Sequence, residues 1–279
     1  MNTANGLLLA AFICGTVYST VDKTVCLNSR PRILCLHGGG QSAPQFKAML
    51  TELTSRCKSH EFYFPAAIEP GHVWVRDPAS KSNPTTDPHW AKQTNDFIDG
   101  YIAQHGPFDG ILGYSQGSMY ATYTIARMQP GTFRFAVLFC GYLPLTHQGL
   151  LQTINSAAPL NVTSLLFMSE NDYVIPSAFT MAQSKVFANS TILKSARAGH
   201  RVPPSTDDAF PGTVAFIKLH GNNSCARNAP IAKQAGASGV SISLIIFSVF
   251  ILALVFACVV TIGVFCFYKQ NTYAALNHT

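Results

Sequence analysis

Between residues 30 and 220, short unbroken apolar runs alternate with longer stretches whose apolar positions recur every three or four residues. The runs "RILCL", "EFYFP", "FDGILGY", "FRFAVLFCG", "SLLFM" and "STILKS" have the length and β-branched or aromatic content of buried strands. The stretches between them read as helices. In "PQFKAMLTELTSRCK", Phe46, Met49, Leu50 and Leu53 share one face, and in "AKQTNDFIDGYIAQHG", Phe97 and Tyr101 are four apart. "SMYATYTIARM", "SAFTMAQSKVF" and "DDAFPGTVAFIKLH" complete the helical set. Strands apolar along their whole length must be covered on both faces. Their alternation with helices therefore predicts an α/β domain built on a mostly parallel sheet with helices on either side.

Outside that region the pattern changes. No charge lies between Lys233 and Lys269, and "SLIIFSVFILALVFACVVTIGVFCFY" exceeds the roughly 20 apolar residues that cross a bilayer. This predicts a transmembrane helix over 241–268, a polar linker over 221–240 before it, and a short polar tail over 269–279. A second apolar run, "GLLLAAFICGTVYST", is too short to span and resembles a secretory signal over 1–20, although "MNTANG" before it has no Lys or Arg. Together these predict a single-pass membrane protein, anchored in the lipid bilayer, with its globular domain lumenal or extracellular. Sequons at Asn161, Asn189 and Asn222 suit that side of a membrane. Arg227 and Lys233 before the span, against Lys269 after it, lean toward the alternative of a tail-anchored protein with a cytosolic domain. A lipid anchor at "GASGVS" is disfavoured by the polar tail that follows the apolar run.

Composition adds little to this. At 48% hydrophobic and 11% charged, the chain is apolar for a soluble protein, as a membrane segment requires. The net charge of +6 is scattered, with no basic stripe, so nucleic acid is not expected as a partner. Cys26, Cys35, Cys57, Cys140 and Cys225 form an odd set without CxxC spacing, which predicts no metal site and no disulfide framework. Cys35 and Cys140 fall inside apolar runs and are expected in the core.

The chemistry concentrates at the C-terminal ends of the strands, where parallel sheets place their ligand-handling residues. Gly113-Tyr114-Ser115-Gln116-Gly117 is a G-x-S-x-G run between a strand and a helix. A sharp turn there exposes the serine hydroxyl, and the following helix aims its positive end at it. A serine needs a base, and the base an orienting acid. Asp172 follows the strand "SLLFM" and His200 follows "STILKS", giving the chain order Ser, Asp, His of α/β-hydrolases. Glu170 competes as the acid. Asp172 is preferred because the turn into Pro176 aims it back over the sheet.

Upstream, "LHGGGQS" ends the first strand in a glycine turn able to present amide hydrogens. With the amide of Gln116, the residue after the nucleophile, that of Gly39 is the expected second donor of an oxyanion hole. No Walker lysine follows and the dinucleotide spacing is absent, so nucleotide binding is not expected. The Pro-rich loop over 66–90 is expected to overlie the site. Val73, Trp74 and Trp90 are its candidates for an apolar acyl pocket.

These blocks, "ILCLHGGGQSAPQFKAMLTEL", "EFYFPAA", "GPFDGILGYSQGS", "FAVLFCGYLP", "END" with "VIP", and "AGHRVP", resemble the small α/β-hydrolases called the family of serine hydrolases. That group includes the ovarian-cancer-associated serine hydrolase domain. The resemblance covers about residues 30–220. It implies Ser115, Asp172 and His200 as the triad, with esterase or thioesterase activity on a small acyl ester or thioester and no cofactor. Two departures stand out: Ser169 occupies a position where the family usually has Gly, and the family is typically soluble and intracellular. The competing expectation is a membrane-tethered binding module that kept the fold and lost the chemistry. The intact Ser–Asp–His set weighs against it.

Overall fold

The computed structural model describes residues 30–80 and 82–221. Its centre is a six-stranded, wholly parallel sheet. β1 (Arg32–Leu36), β2 (Glu61–Tyr63), β3 (Gly110–Tyr114), β4 (Phe135–Phe139), β5 (Thr163–Ser169) and β6 (Ser190–Ser195) lie in the order β2-β1-β3-β4-β5-β6. The register is continuous: Leu36 pairs with Gly113, Tyr114 with Phe139, and Phe139 with Phe167. The C-terminal ends of the central strands therefore share one rim.

Six helices connect the strands among the described residues, α1 (Ala43–Met49), α2 (Thr51–Arg56), α3 (Lys92–His105), α4 (Gln116–Arg127), α5 (Gln148–Ala157) and α6 (Ser177–Ser184), and α7 (Ala209–Gly221) follows β6. Successive strand residues point to opposite faces. Leu34 and Leu36 join a core with Met119 and Tyr120 of α4, Ile98 of α3, and Leu150 and Ile154 of α5. Ile33 and Cys35 join the opposite core, with Phe46 of α1, Leu53 of α2 and Ile217 of α7. Phe135, Phe139 and Phe167 are fully buried in this second layer. Each contributes about 1.5–3 kcal/mol of transfer free energy. The three-layer α/β architecture is the one that the apolar runs predict.

Two elements differ from expectation. The first helix is broken at Leu50, which caps α1 and begins α2. Ser42 starts α1 with a capping box: its Oγ accepts the Gln45 amide hydrogen, and the Gln45 side chain accepts that of Ser42. The second difference is α5, in a stretch with no predicted element. Parallel β4 and β5 need a crossover between them, and α5 supplies it by burying Leu150 and Ile154.

Among the described residues no helix is long and apolar enough to cross a membrane. The expected leader over 1–20, span over 241–268 and tail over 269–279 lie outside the described residues, as does the 221–240 linker apart from Gly221, the last residue of α7.

Candidate active site

The turn between β3 and α4 is set by what its glycines exclude. A Cβ on Gly117 would stand 2.1 Å from the Leu36 carbonyl oxygen, and one on Gly113 would stand 2.4 Å from that of Gly117. Only glycine lets the start of α4 pass so close to the ends of β1 and β3. Ser115 is held at φ 52°, ψ −118°, a backbone region that L residues avoid. The strained turn projects its hydroxyl above the sheet rim.

The hydroxyl meets its partners there. Ser115 Oγ lies 3.0 Å from His200 Nε2, and His200 Nδ1 lies 2.8 Å from Asp172 Oδ2. The other oxygen, Asp172 Oδ1, accepts amide hydrogens from Val174 at 2.9 Å and Ile175 at 2.8 Å. Three residues 85 and 28 positions apart thus form one hydrogen-bonded line. With Nδ1–H donated to the carboxylate, Nε2 is free to accept the serine proton. Glu170 is exposed, and its backbone amide pairs with Ser195 of β6. Of the two acids, Asp172 is the one within reach of the imidazole.

The two expected amide donors belong to the start of α4 and to the glycine loop after β1. Gln116 is the first residue of α4, so its N–H has no acceptor one turn earlier in the helix. Gly39 sits beside it: a Cβ there would lie 3.4 Å from Gln116 Oε1. The glycine loop is fixed from beneath by His37, which is fully buried. His37 Nδ1 donates to the Gly38 carbonyl at 2.8 Å, and Nε2 accepts the Ala67 amide hydrogen at 3.0 Å. This pairing requires a neutral ring, and burial holds its pKa below the ordinary histidine value.

The loop over 66–90 packs on the glycine loop through polar contacts. Gly40 N–H donates to the His72 carbonyl at 3.0 Å, and Trp74 Nε1–H to the His37 carbonyl at 2.7 Å. Trp74 needs a correction as a pocket wall. Its ring is fully buried and stacked on Tyr120 at 5.7 Å and 5°, so it is a core residue. Trp90 is half-buried and donates Nε1–H to the Arg76 carbonyl at 2.7 Å, which pins the loop. Val73 is half-buried and forms an isolated bridge with Glu69.

Three contacts have no signal in the sequence pattern. Tyr114, the variable residue before the nucleophile, donates its hydroxyl to the His200 carbonyl at 2.7 Å. Ser169 is fully buried; its Oγ donates to Asn171 Oδ1 at 2.7 Å and accepts the Gly199 amide hydrogen at 3.0 Å. Asn171 Oδ1 also accepts the Gly199 amide, at 2.7 Å. Ser169 and Asn171 thereby tie the acid turn to the histidine turn. The departure at Ser169 is visible in the sequence, but its partner lies 30 residues away. Cys140 is the third: it is buried, at φ 49°, with Sγ donating to the Arg201 carbonyl at 3.5 Å.

Residues 27–209 match the family model for "Serine hydrolase (FSH1)". The chain belongs to this family. It is 36% identical over 133 residues to Esterase FPY3 of Fusarium mangiferae, covering 43% of this chain and 61% of that protein. An uncharacterized hydrolase of Schizosaccharomyces pombe is 29% identical over 210 residues, covering 63% of this chain and 48% of that one. The chain therefore spans about half to three-fifths of the length of these two relatives. Esterase OVCA2 of Xenopus tropicalis is 30% identical over 204 residues, covering 62% of this chain and 86% of that protein. Among solved structures, Zea mays acyl-protein thioesterase 2 superposes with a TM-score of 0.54 at 16% identity, over 68% of this chain and 94% of that one. That likeness shows the α/β-hydrolase fold.

Proposed function

We propose that this member of the serine hydrolase family cleaves carboxylic esters or thioesters through an acyl-enzyme on Ser115. The observation that carries the reading is the unbroken hydrogen-bonded line from Ser115 through His200 to Asp172. His200 Nε2 takes the hydroxyl proton as Ser115 Oγ attacks the acyl carbonyl, and Asp172 stabilises the imidazolium that forms. The amide hydrogens of Gln116 and Gly39, with the positive end of α4, hold the negative oxygen of the tetrahedral intermediate. The imidazolium returns its proton to the departing alcohol or thiol. Water then repeats the sequence on the acyl group and frees the acid. Relatives named esterases and a thioesterase of like fold support this substrate class.

Labelling with a fluorophosphonate probe tests the proposal. The wild type is expected to label and Ser115→Ala to lose the label. An unlabelled, folded wild type would instead favour a binding module. A panel of matched nitrophenyl esters and acyl thioesters separates the two substrate classes.

We also propose that the apolar run over 241–268 tethers the domain to a bilayer, on the lumenal or extracellular side. Asn161 and Asn189 are exposed, as glycan acceptors must be. A mobility shift on glycosidase treatment of the expressed full chain is expected; its absence would support the tail-anchored, cytosolic alternative.

A further inference from the structure

Cys140 follows β4, where its backbone N–H donates to the Phe167 carbonyl at 2.8 Å. Its left-handed φ of 49° turns the residue at the strand end toward the triad. The sulfur, a carboxylate oxygen of Asp172 and a ring nitrogen of His200 all lie within 4.8 Å of one another. Thiol, carboxylate and imidazole are together a donor set for a thiophilic divalent cation.

We propose that Cys140, Asp172 and His200 form an inhibitory binding site for a cation of the Zn2+ class, placed on the far side of the imidazole from the nucleophile. The proposal rests on the reading of Ser115, His200 and Asp172 as the catalytic line. Bond lengths of about 2.3 Å to sulfur and about 2.0–2.2 Å to nitrogen and oxygen set the spacing of tetrahedral ligands between the present 2.8 Å Nδ1–Oδ2 contact and the 4.8 Å limit of the cluster. Small rotations of the three side chains therefore suffice. Charge favours the site too. A dication, a thiolate and a carboxylate sum to zero, so the buried complex carries no net charge to desolvate. Burial, and next the charge of Asp172, push the Cys140 thiol pKa up.

The proton balance explains inhibition. The cation displaces the thiol proton to solvent and takes the Nδ1 position. The imidazole, still neutral, then carries its hydrogen on Nε2. An Nε2–H donates to Ser115 Oγ and cannot accept the proton that nucleophilic attack must shed. One proton is released per cation bound.

The test uses the full chain with Zn2+ for inhibition and Co2+ as a spectroscopic probe. Ester hydrolysis by the wild type is expected to fall with Zn2+ and to recover with EDTA. Loss of an outer-shell partner alone costs about 10- to 100-fold in metal affinity, so Cys140→Ser should raise the inhibitory concentration about tenfold or more. Co2+ should give a thiolate-to-metal charge-transfer band in the wild type and in Ser115→Ala, and none in Cys140→Ser or Cys140→Ala. Because Ser115→Ala reports binding without turnover, the cation site can be judged even if the hydrolase reading fails. Equal Zn2+ sensitivity in folded Cys140→Ser, or no thiolate band in wild type and Ser115→Ala, would overturn the proposal.

Discussion

The side chain of Gln116 reaches the backbone on both sides of the peptide after Trp74: Oε1 accepts the Trp74 amide hydrogen at 2.8 Å, and Nε2 donates to the Val75 carbonyl at 2.9 Å. One residue thus serves two ends. Its backbone amide is the expected oxyanion donor, and its carboxamide fastens the loop over 66–90. Gln116→Ala keeps the first and removes the second, leaving two buried backbone groups unpaired. We expect a loss of about 1–3 kcal/mol in chemical-denaturation stability. Fluorophosphonate labelling should persist, since the Gln116 backbone amide and the Ser115–His200–Asp172 line remain. A variant as stable as wild type would show that the loop is held elsewhere.

Asp172→Asn tests the acid separately from the fold. The two amides of Val174 and Ile175 can still be satisfied by the carboxamide oxygen. The imidazole then loses the negative partner that fixes its tautomer. The turnover number is expected to fall by roughly 10^4-fold, the scale seen when a triad carboxylate becomes an amide. Circular dichroism should be unchanged.

Two glycines make a contrasting pair. Gly117→Ala drives a methyl group to 2.1 Å from the Leu36 carbonyl and 2.4 Å from that of His37, so β1 and α4 must separate. We expect a stability loss of about 1–3 kcal/mol or more, with loss of activity. Gly100 lies in α3 on the exposed side, and a methyl group there would meet nothing within 4 Å. Gly100→Ala should stabilise the protein by about 0.5–1 kcal/mol and leave hydrolysis unaffected. Thermal melts of both variants check the pair.

Acid should weaken the fold through three histidines. Burial lowers the pKa of His37, His60 and His220 from the ordinary value of 6.5, with neighbouring positive charge adding to the shift at His60 and His220. Above pH 6.5 both folded and unfolded chains hold these rings neutral, and the contribution is fully present. As pH falls below 6.5, the unfolded chain takes up protons before the folded one does, so stability drops. Denaturation midpoints should decline from pH 7 to pH 5. His37→Gln should flatten part of that decline, because its ring cannot then titrate.

The sheet is legible in the sequence because its central strands, β1, β3, β4 and β5, bury both faces and leave unbroken apolar runs. The three candidate catalytic residues are legible because each follows a strand, and the parallel topology brings those strand ends together. The break at Leu50 is not, since no glycine or proline marks it. α5 is legible only indirectly. Gly149 near its start obscures the helix, although Leu150 and Ile154 have the right spacing and the β4–β5 crossover demands one. Trp74 reads wrongly as pocket lining because a large apolar residue in a Pro-rich loop looks available. What buries it is a stack on Tyr120 and a carboxamide from Gln116, contacts between stretches more than 40 positions apart in sequence.

Ser169 and Asn171 have a mechanical consequence. Both side chains meet the Gly199 amide hydrogen, so the turn bearing Asp172 is stitched to the turn bearing His200 at two points. Asp172 and His200 accordingly stand at hydrogen-bond distance already, 2.8 Å apart. On the proposed function, little of a substrate's affinity would be consumed in ordering these two residues.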